Sequence, residues 1–181
     1  MKIGVISDTH GSLKYFNQAL EVLGHCDYIL HGGDVLYHGP RNPLPEDYAP
    51  KELAQKINNM TNIIFTKGNC DADVDQMVIN HPLQSPYTLL QPGKFKILLC
   101  HGYKETKDEL IAMAKRFKVD ILIYGHTHIK ELYQEPGLIV LNPGSTALPK
   151  DDIHSVALID EHVIKLINIG TKEVIKEISL N

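Results

Sequence analysis

Short apolar runs recur along the chain and alternate with helical segments through its first two thirds. Each run has the length of a strand and is rich in Ile, Val, Leu or aromatic residues, so it predicts a buried strand. The runs are 2–7, 28–30, 63–66, 95–100, 121–124 and 138–141. Alternation of strands and helices is typical of an α/β fold.

Three helices are predicted between these strands. Ser12 can cap the first, over about 13–23, and Pro50 occupies a first-turn position in the second, over about 50–60. The third covers 107–118, where apolar side chains fall on one face. The helices therefore have a side that can pack on a sheet.

The pattern changes in the last quarter of the chain, where apolar runs follow one another without a helical interval. These runs predict an antiparallel set of strands. They are 138–141, 156–159, 163–169 and 174–180. We therefore expect an α/β sandwich with mixed sheets, formed as one domain over 1–181.

The segment 36–50 contains four prolines and breaks the alternation. Proline lacks a backbone donor and has a fixed φ, so this segment cannot be a regular helix or a central strand. We expect a long ordered loop that acts as a lid or as a wall of a substrate site.

Composition and charge exclude several classes of protein. A net charge of −4 with a pI near 6.2 disfavours binding to long nucleic acids. No run approaches the roughly 18 apolar residues of a membrane span, and the start of the chain lacks a signal-peptide pattern. Three cysteines without a CxxC pair indicate reduced thiols. We expect a cytoplasmic protein that does not associate with membranes.

Polar clusters follow the ends of five predicted strands. Because the carboxyl ends of strands in open α/β sheets gather at one edge, these clusters should converge there. Their metal-ligating side chains are Asp8, His10, Asp34, Asn69, His101, His126 and His128. Carboxylate, carboxamide and imidazole groups suit two borderline divalent cations, whereas one structural zinc does not need seven groups.

Spacing suggests how two pairs of ligands are shared. Alternate residues of an extended segment point the same way, so Asp8 and His10 are expected to reach one ion. His126 and His128 can serve separate ions at slightly different heights.

Five motifs in this order resemble the calcineurin-like metallophosphoesterases. Their pattern is D-x-H, G-D, G-N-[HC]-[DE], H-G and G-H-T-H, and all five motifs are present with comparable spacing. The resemblance implies a β-sandwich of two mixed sheets flanked by helices. Segments 33–42, 68–71, 74–77 and 142–145 look like the YfcE-like bacterial phosphodiesterase subgroup.

The resemblance also implies a role for each ligand and for a hydroxide that bridges the ions as nucleophile. One ion is assigned Asp8, His10 and His128, the other Asn69, His101 and His126, and Asp34 bridges both. Mn²⁺ is the first expectation for the two divalent ions, with Zn²⁺, Fe²⁺, Ni²⁺ and Mg²⁺ as alternatives, because mixed oxygen and nitrogen ligands select weakly.

Cys70 stands where most members of this family have histidine, the partner of the leaving oxygen. A thiol has a pKa of about 8.5 and is a weak hydrogen-bond donor, so it helps a poor leaving group less than an imidazolium does. The cysteine therefore favours a small phosphodiester as substrate over a phosphomonoester. A packed, unreactive thiol is an equally weighted alternative.

Two loop residues are further candidates for substrate contact. Arg41 carries a guanidinium that can grip two phosphoryl oxygens, against the alternative of a solvated loop arginine. His38 could contact substrate or only stabilise its loop. The spacing of Asp71, Asp73 and Asp75 resembles a calcium loop only superficially, and we reject that interpretation.

Three functions remain to be distinguished. The first is a binuclear-metal phosphodiesterase, with Asp34, Asn69, Cys70 and Arg41 as catalytic candidates; the others are a phosphomonoesterase and a non-catalytic interaction scaffold, which the retromer subunit of this fold exemplifies. The full set of ligands favours an enzyme. The sequence leaves homo-oligomer formation open, although the late strands could offer an edge for pairing.

Overall fold

The computed structural model describes residues 1–180, which contain four helices and twelve strands. The helices are α1 Leu13–Leu23, α2 Pro50–Asn58, α3 Asp73–Val78 and α4 Lys107–Phe117. The strands are β1 Ile3–Ile6, β2 Tyr28–His31, β3 Ile63–Thr66, β4 Leu83–Gln84, β5 Tyr87–Leu90, β6 Ile97–Cys100, β7 Ile121–Ile123, β8 Glu131–Glu135, β9 Leu138–Asn142, β10 Ser155–Ile159, β11 Val163–Asn168 and β12 Val174–Ser179.

The strands form two mixed sheets. The larger has the order β12-β11-β10-β1-β2-β3-β4, and the smaller has the order β5-β6-β7-β9-β8. In the larger sheet β1 to β4 are parallel, while β10 to β12 run antiparallel. The predicted α/β sandwich of two mixed sheets is confirmed.

Three apolar layers hold the sandwich together. The central layer lies between the sheets and joins Val5 and Leu30 to Leu99 and Ile123. A second layer packs α1 and α2 against the larger sheet, and a third packs α4 against the smaller one. Burial of these side chains on both faces explains why most strands read as continuous apolar runs rather than as alternating ones.

The helices begin and end where local chemistry requires it. Ser12 accepts a hydrogen bond from the Tyr15 amide at the start of α1, and Gly24 ends the helix with a φ of 61°. Thr106 and Glu109 form a reciprocal capping box at the start of α4. All three predicted helices are present.

The predicted antiparallel set at the end of the chain is correct for β10 to β12 but wrong for the run 138–141. That run is β9, which lies in the other sheet, parallel to β7 and antiparallel to β8. A fully buried strand pairs wherever both of its faces are covered, so its apolar sequence does not reveal its neighbours. The sequence prediction also missed α3, β4, β5 and β8, which are short or half-exposed elements.

The proline-rich segment is an ordered loop, as predicted. Within this loop, between β2 and α2, the structure shows one isolated β-bridge, which joins Tyr48 to Ser12. None of the helices in residues 1–180 is long and apolar enough to cross a membrane.

Candidate metal centre

The loops that follow β1, β2, β3, β6 and β7 meet at one edge of the sandwich. The loops after β1 and β2 are joined by backbone hydrogen bonds from the Asp8 amide to the Gly33 carbonyl and from the His10 amide to the Asp34 carbonyl, each 3.0 Å long. The predicted convergence of polar clusters at strand ends therefore occurs.

Five of the predicted ligands have left-handed backbone conformations, which are rare for residues with a Cβ. They are Asp8, His10, Asp34, His126 and His128, with φ between 46° and 65°. Such a conformation costs on the order of 1–3 kcal/mol and is retained where the surrounding structure enforces it, often at functional sites. The expectation that Asp8 and His10 lie together on an extended segment is wrong in its geometry; a tight left-handed turn brings them together.

One group of donors contains Asp8, His10 and His128. The Nε2 atoms of the two histidines are 3.1 Å apart, and Asp8 Oδ1 lies 3.3 Å from His128 Nε2 and 3.9 Å from His10 Nε2. All three side chains are buried. At ligand distances near 2.1 Å, adjacent donors around one ion are about 3 Å apart, so this spacing fits a shared cation.

A second group surrounds His101. Asn69 Oδ1 lies 3.2 Å from His101 Nε2, and the ring of His126 lies edge-on to the ring of His101 at a centroid distance of 5.2 Å. Asp34 Oδ2 is 3.3 Å from the same His101 Nε2. The structure thus brings together all seven predicted ligands at the same edge.

Asp34 lies between the two groups. Its Oδ2 is 3.3 Å from His101 Nε2 on one side and 3.9 Å from His10 Nε2 on the other. Its Oδ1 accepts a hydrogen bond of 2.8 Å from the Cys70 amide. Because one oxygen is held by backbone, the other faces both donor groups.

Backbone carbonyls determine which nitrogen of each buried histidine faces the centre. Nδ1 of His10 lies 2.8 Å from the Tyr37 carbonyl, Nδ1 of His128 lies 2.6 Å from the Leu148 carbonyl, and Nδ1 of His101 lies 2.7 Å from the Gly32 carbonyl. A carbonyl accepts only, so each Nδ1 carries a proton and each Nε2 faces inward, where either a proton or a cation can bind it. This is the usual orientation of metal-binding histidine.

The ionisation of the Asp8 and Asp34 carboxyls also fits a metal site. Burial opposes ionisation of Asp8 and Asp34, but attraction from protonated His128 and His101 holds the pKa of each carboxyl below its ordinary value. Asp8 Oδ1 is buried without a hydrogen-bond partner, and His128 Nε2 faces it at 3.3 Å. A buried carboxylate oxygen that faces imidazole nitrogens fits a divalent cation, which would take the place of the proton.

Asp71 is a functional residue that the sequence analysis missed. Its carboxylate accepts hydrogen bonds from the amides of Asp34, Val35 and Gly68, at 2.7 to 2.9 Å. Burial raises its pKa to about 6. Its place directly after Cys70 in the third motif was the available signal. Asp71 therefore ties the loop of Asp34 to the loop of Asn69.

The neighbouring carboxylates have other roles, in agreement with rejection of a calcium loop. Asp73 forms an exposed ion pair with Lys67 at 2.9 Å, and Asp75 accepts the Ala72 amide at the start of α3.

Two further loops hold the site from behind. Ser145 donates a 2.8 Å hydrogen bond to the Asp8 carbonyl, and Asn142 donates one of 2.9 Å to the Gly125 carbonyl. The segment 142–145 thus supports the backbone of the site. His31 is buried and accepts the Gly33 amide, and burial lowers its pKa to about 3, so it is a neutral structural partner.

A polar cleft of about 760 Å³ opens over the donor groups. Its wall includes two cations, the predicted Arg41 and also Lys150, which sequence reasoning missed because it lies outside every motif. Both side chains are exposed. His38 does not line this cleft; its ring packs edge-on against Tyr37 and Tyr48.

Cys70 lies at the rim of the same cleft. Its Sγ is 3.3 Å from Asn69 Nδ2, and burial and the nearby Asp34 carboxylate raise the pKa of the thiol to about 12. Cys70 is therefore a protonated thiol at neutral pH.

Comparison with known proteins agrees with this geometry. Residues 1–162 match the calcineurin-like phosphoesterase superfamily domain. The chain belongs to the calcineurin-like phosphoesterase family. It is 35% identical to phosphodiesterase YfcE of Escherichia coli, covering 100% of this chain and 99% of that protein. The solved structure of that phosphoesterase superposes with a TM-score of 0.90, 34% identity and full coverage of both chains.

More distant proteins share sequence or fold with this chain. Phosphodiesterase MJ0936 of Methanocaldococcus jannaschii is 24% identical over 88% of this chain and 93% of its own. Vacuolar protein sorting 29 from Cryptosporidium parvum has 21% identity, a TM-score of 0.67, and coverage of 99% and 98%. This chain is a metal-dependent phosphoesterase, and its described residues include groups of side chains that could hold a metal ion.

Proposed function

We propose that this phosphoesterase hydrolyses small phosphodiesters at a centre of two divalent metal ions. The observation that carries the proposal is the position of Asp34 Oδ2, which lies within 3.3 Å of His101 Nε2 and 3.9 Å of His10 Nε2. One carboxylate oxygen that faces two separate donor groups is what a bridge between two ions requires.

Each ion would take its own set of protein ligands in addition to Asp34. One would be held by Asp8, His10 and His128, and the other by Asn69, His101 and His126. Bound ions would activate a water molecule and offset the charge on the phosphoryl oxygens. We expect Mn²⁺, with Zn²⁺, Fe²⁺, Ni²⁺ and Mg²⁺ as alternatives, since oxygen and nitrogen donors are mixed.

The remaining side chains of the cleft fit an ester that carries one negative charge. Arg41 and Lys150 face the cleft and can bind phosphoryl oxygens. Burial and the Asp34 carboxylate raise the pKa of Cys70, which disfavours a nucleophilic thiolate, and a thiol is a weak donor to a leaving oxygen. A diester with a good leaving group needs less help than a monoester does, and the name phosphodiesterase of the relatives YfcE and MJ0936 supports the same choice.

A non-catalytic scaffold is the rival from another class. The structures of vacuolar protein sorting 29 share only the fold with this chain at 19–22% identity. The complete set of seven ligands in one place supports an enzyme instead. That 1–181 form a single domain and that the protein is cytoplasmic stay predictions.

The proposal is tested by stripping the protein with a chelator and adding back each metal singly. We expect two ions per chain by elemental analysis, with highest activity for Mn²⁺ on bis(4-nitrophenyl) phosphate and little on 4-nitrophenyl phosphate. One ion per chain, or greater activity on the monoester, would contradict the proposal.

Arg41→Ala should raise KM for a diester more than it lowers kcat. Its guanidinium lines the cleft and is exposed, so it is expected to hold the ester equally in the ground state and the transition state. Arg116→Ala is the matched control, since this second arginine lies on α4, outside the residues that line the cleft. A collapse of kcat with unchanged KM would place Arg41 in the chemical step.

Metal affinity should rise with pH. Although burial favours the neutral ring, the carboxylates raise the pKa of His101 to about 9 and raise that of His128. Protons and divalent ions compete for the same Nε2 atoms, so binding at neutral pH expels protons. Affinity should therefore fall roughly tenfold per pH unit for each proton displaced, with metal lost below about pH 6. Titration calorimetry in buffers of different ionisation enthalpy measures the released protons, and full occupancy near pH 4.5 would refute the imidazole ligands.

A further inference from the structure

A second groove, distinct in character from the metal cleft, lies between the proline-rich loop, α2 and α3. Its volume is about 630 Å³, within the range of small-molecule sites. Its lining is mainly apolar and includes Leu36, Tyr37, Tyr48, Ala54, Val74 and Val78. None of these residues is among the seven candidate metal ligands.

The groove is continuous with the metal cleft. Tyr37, Cys70 and Ala72 line both spaces, so the apolar groove begins where the polar cleft ends. A phosphoryl group held in the cleft would therefore direct one of its ester substituents past Cys70 and into the groove.

Ring packing and side-chain hydrogen bonds hold the walls of the groove in place. The rings of Tyr37 and Tyr48 both pack edge-on against the ring of His38, at centroid distances of 4.7 and 5.3 Å. At the far end the Asn58 side chain of α2 donates to the Val78 carbonyl and accepts the Asn80 amide, each at 2.8 Å. These contacts fix the spacing between α2 and α3.

Three apolar or aromatic side chains of the groove are exposed to an unusual degree for their type. Val74 is 61% exposed, Val78 48% and Tyr37 39%. Asp75, the carboxylate in the lining, is 8% exposed and accepts the Ala72 amide. Lys51 and Gln55 of α2 also line the groove and are exposed. The rest of the lining is mainly apolar and includes two aromatic rings, and such surface favours an apolar, planar group.

We propose that this groove binds an aromatic ester substituent of the substrate, so that the enzyme prefers phosphodiesters bearing an apolar aromatic alcohol. The inference rests on the proposed phosphodiesterase function and names its substrate class. Tyr37 and Tyr48 supply the ring surfaces, and Val74 and Val78 on α3 supply the opposite wall.

The test compares binding of diphenyl phosphate and dimethyl phosphate to the full-length, Mn²⁺-loaded protein by titration calorimetry. Both ligands are phosphodiester monoanions, so they differ only in the ester substituent. Val74→Glu introduces a charge into the groove at an exposed position in the first turn of α3, where an acidic residue is tolerated. Met77→Glu is the matched control, because Met77 is 83% exposed on the same helix but does not line the groove.

We expect wild type to bind diphenyl phosphate more tightly than dimethyl phosphate. Val74→Glu should weaken diphenyl phosphate binding by at least about tenfold and dimethyl phosphate binding by less than about twofold, while Met77→Glu changes neither. Equal weakening of both ligands would indicate only charge repulsion and would overturn the proposal. Unchanged diphenyl phosphate binding by Val74→Glu would overturn the proposal as well. If sedimentation also showed that this variant differs in mass from wild type, the groove would be assigned to contact between copies of the chain.

Phenol release measured in the same samples separates this inference from the proposed function. Selective diphenyl phosphate binding without phenol release would support the groove and contradict the diesterase. Phenol release with no discrimination between the two ligands would support the diesterase and contradict the groove.

Discussion

Asp34→Asn should lower phosphodiesterase activity by at least about a hundredfold, more than any other single ligand substitution, corresponding to ~2.7 kcal/mol in the barrier. Asparagine has nearly the same shape and can still accept the Cys70 amide through Oδ1. It replaces the anionic Oδ2, which faces His10 and His101, with a neutral group. Loss of one shared charge weakens the binding of both ions at once.

The measurement is kcat/KM on an aryl diester together with metal content per chain. Asp73→Asn is the control, because Asp73 lies close in sequence but is exposed and paired with Lys67. It should keep full activity and metal. If Asp34→Asn retains activity within about tenfold of wild type, a change of only ~1.4 kcal/mol, Asp34 is not the bridge.

Cys70→His should raise the ratio of monoester to diester kcat/KM by at least about tenfold. An imidazolium at this position is a stronger donor than a thiol whose pKa is raised to about 12. General acid help is typically worth about 10² to 10⁴-fold when its geometry is right. Monoesters with poor leaving groups gain most, because aryl diesters already leave readily.

Space around Cys70 decides how this variant must be controlled. A Cβ at Gly39 would lie 3.0 Å from Cys70 Sγ, so the side facing the proline-rich loop is tight, whereas the sides facing the cleft and the apolar groove are open. Metal content confirms that Asn69 is undisturbed, and Cys70→Ser removes the thiol without adding a ring. If Cys70→His keeps both ions and its ratio of monoester to diester kcat/KM is unchanged, the loop that carries Arg41, and not Cys70, determines the ester preference.

The sequence was sufficient for the sandwich and for the convergence of the candidate ligands. Strands buried on both faces leave continuous apolar runs, and polar residues at strand ends must gather at one edge of a parallel sheet. Asp8, Asp34 and His101 could therefore be named as neighbours, although up to 93 positions separate them in the sequence.

Tertiary structure decided the features that depend on distant backbone. The sheet that β9 joins follows from which faces are covered, and the left-handed turn at Asp8 and His10 follows from hydrogen bonds to the loop after β2. The carbonyls of Tyr37, Leu148 and Gly32 determine that Nε2 of each buried histidine faces inward. No local sequence pattern predicts these contacts.

The role of Asp71 and the apolar groove were hidden from the sequence for the same reason. Asp71 acts by accepting amides from a loop some 36 positions earlier, and the groove forms only where Tyr37, Tyr48 and Val74 come together from separate elements. Local sequence determines which strands, turns and ligand types are present, because propensity and burial act over a few residues. Orientation, hydrogen-bond partners and cavities depend on packing between elements, and so only the folded chain determined them.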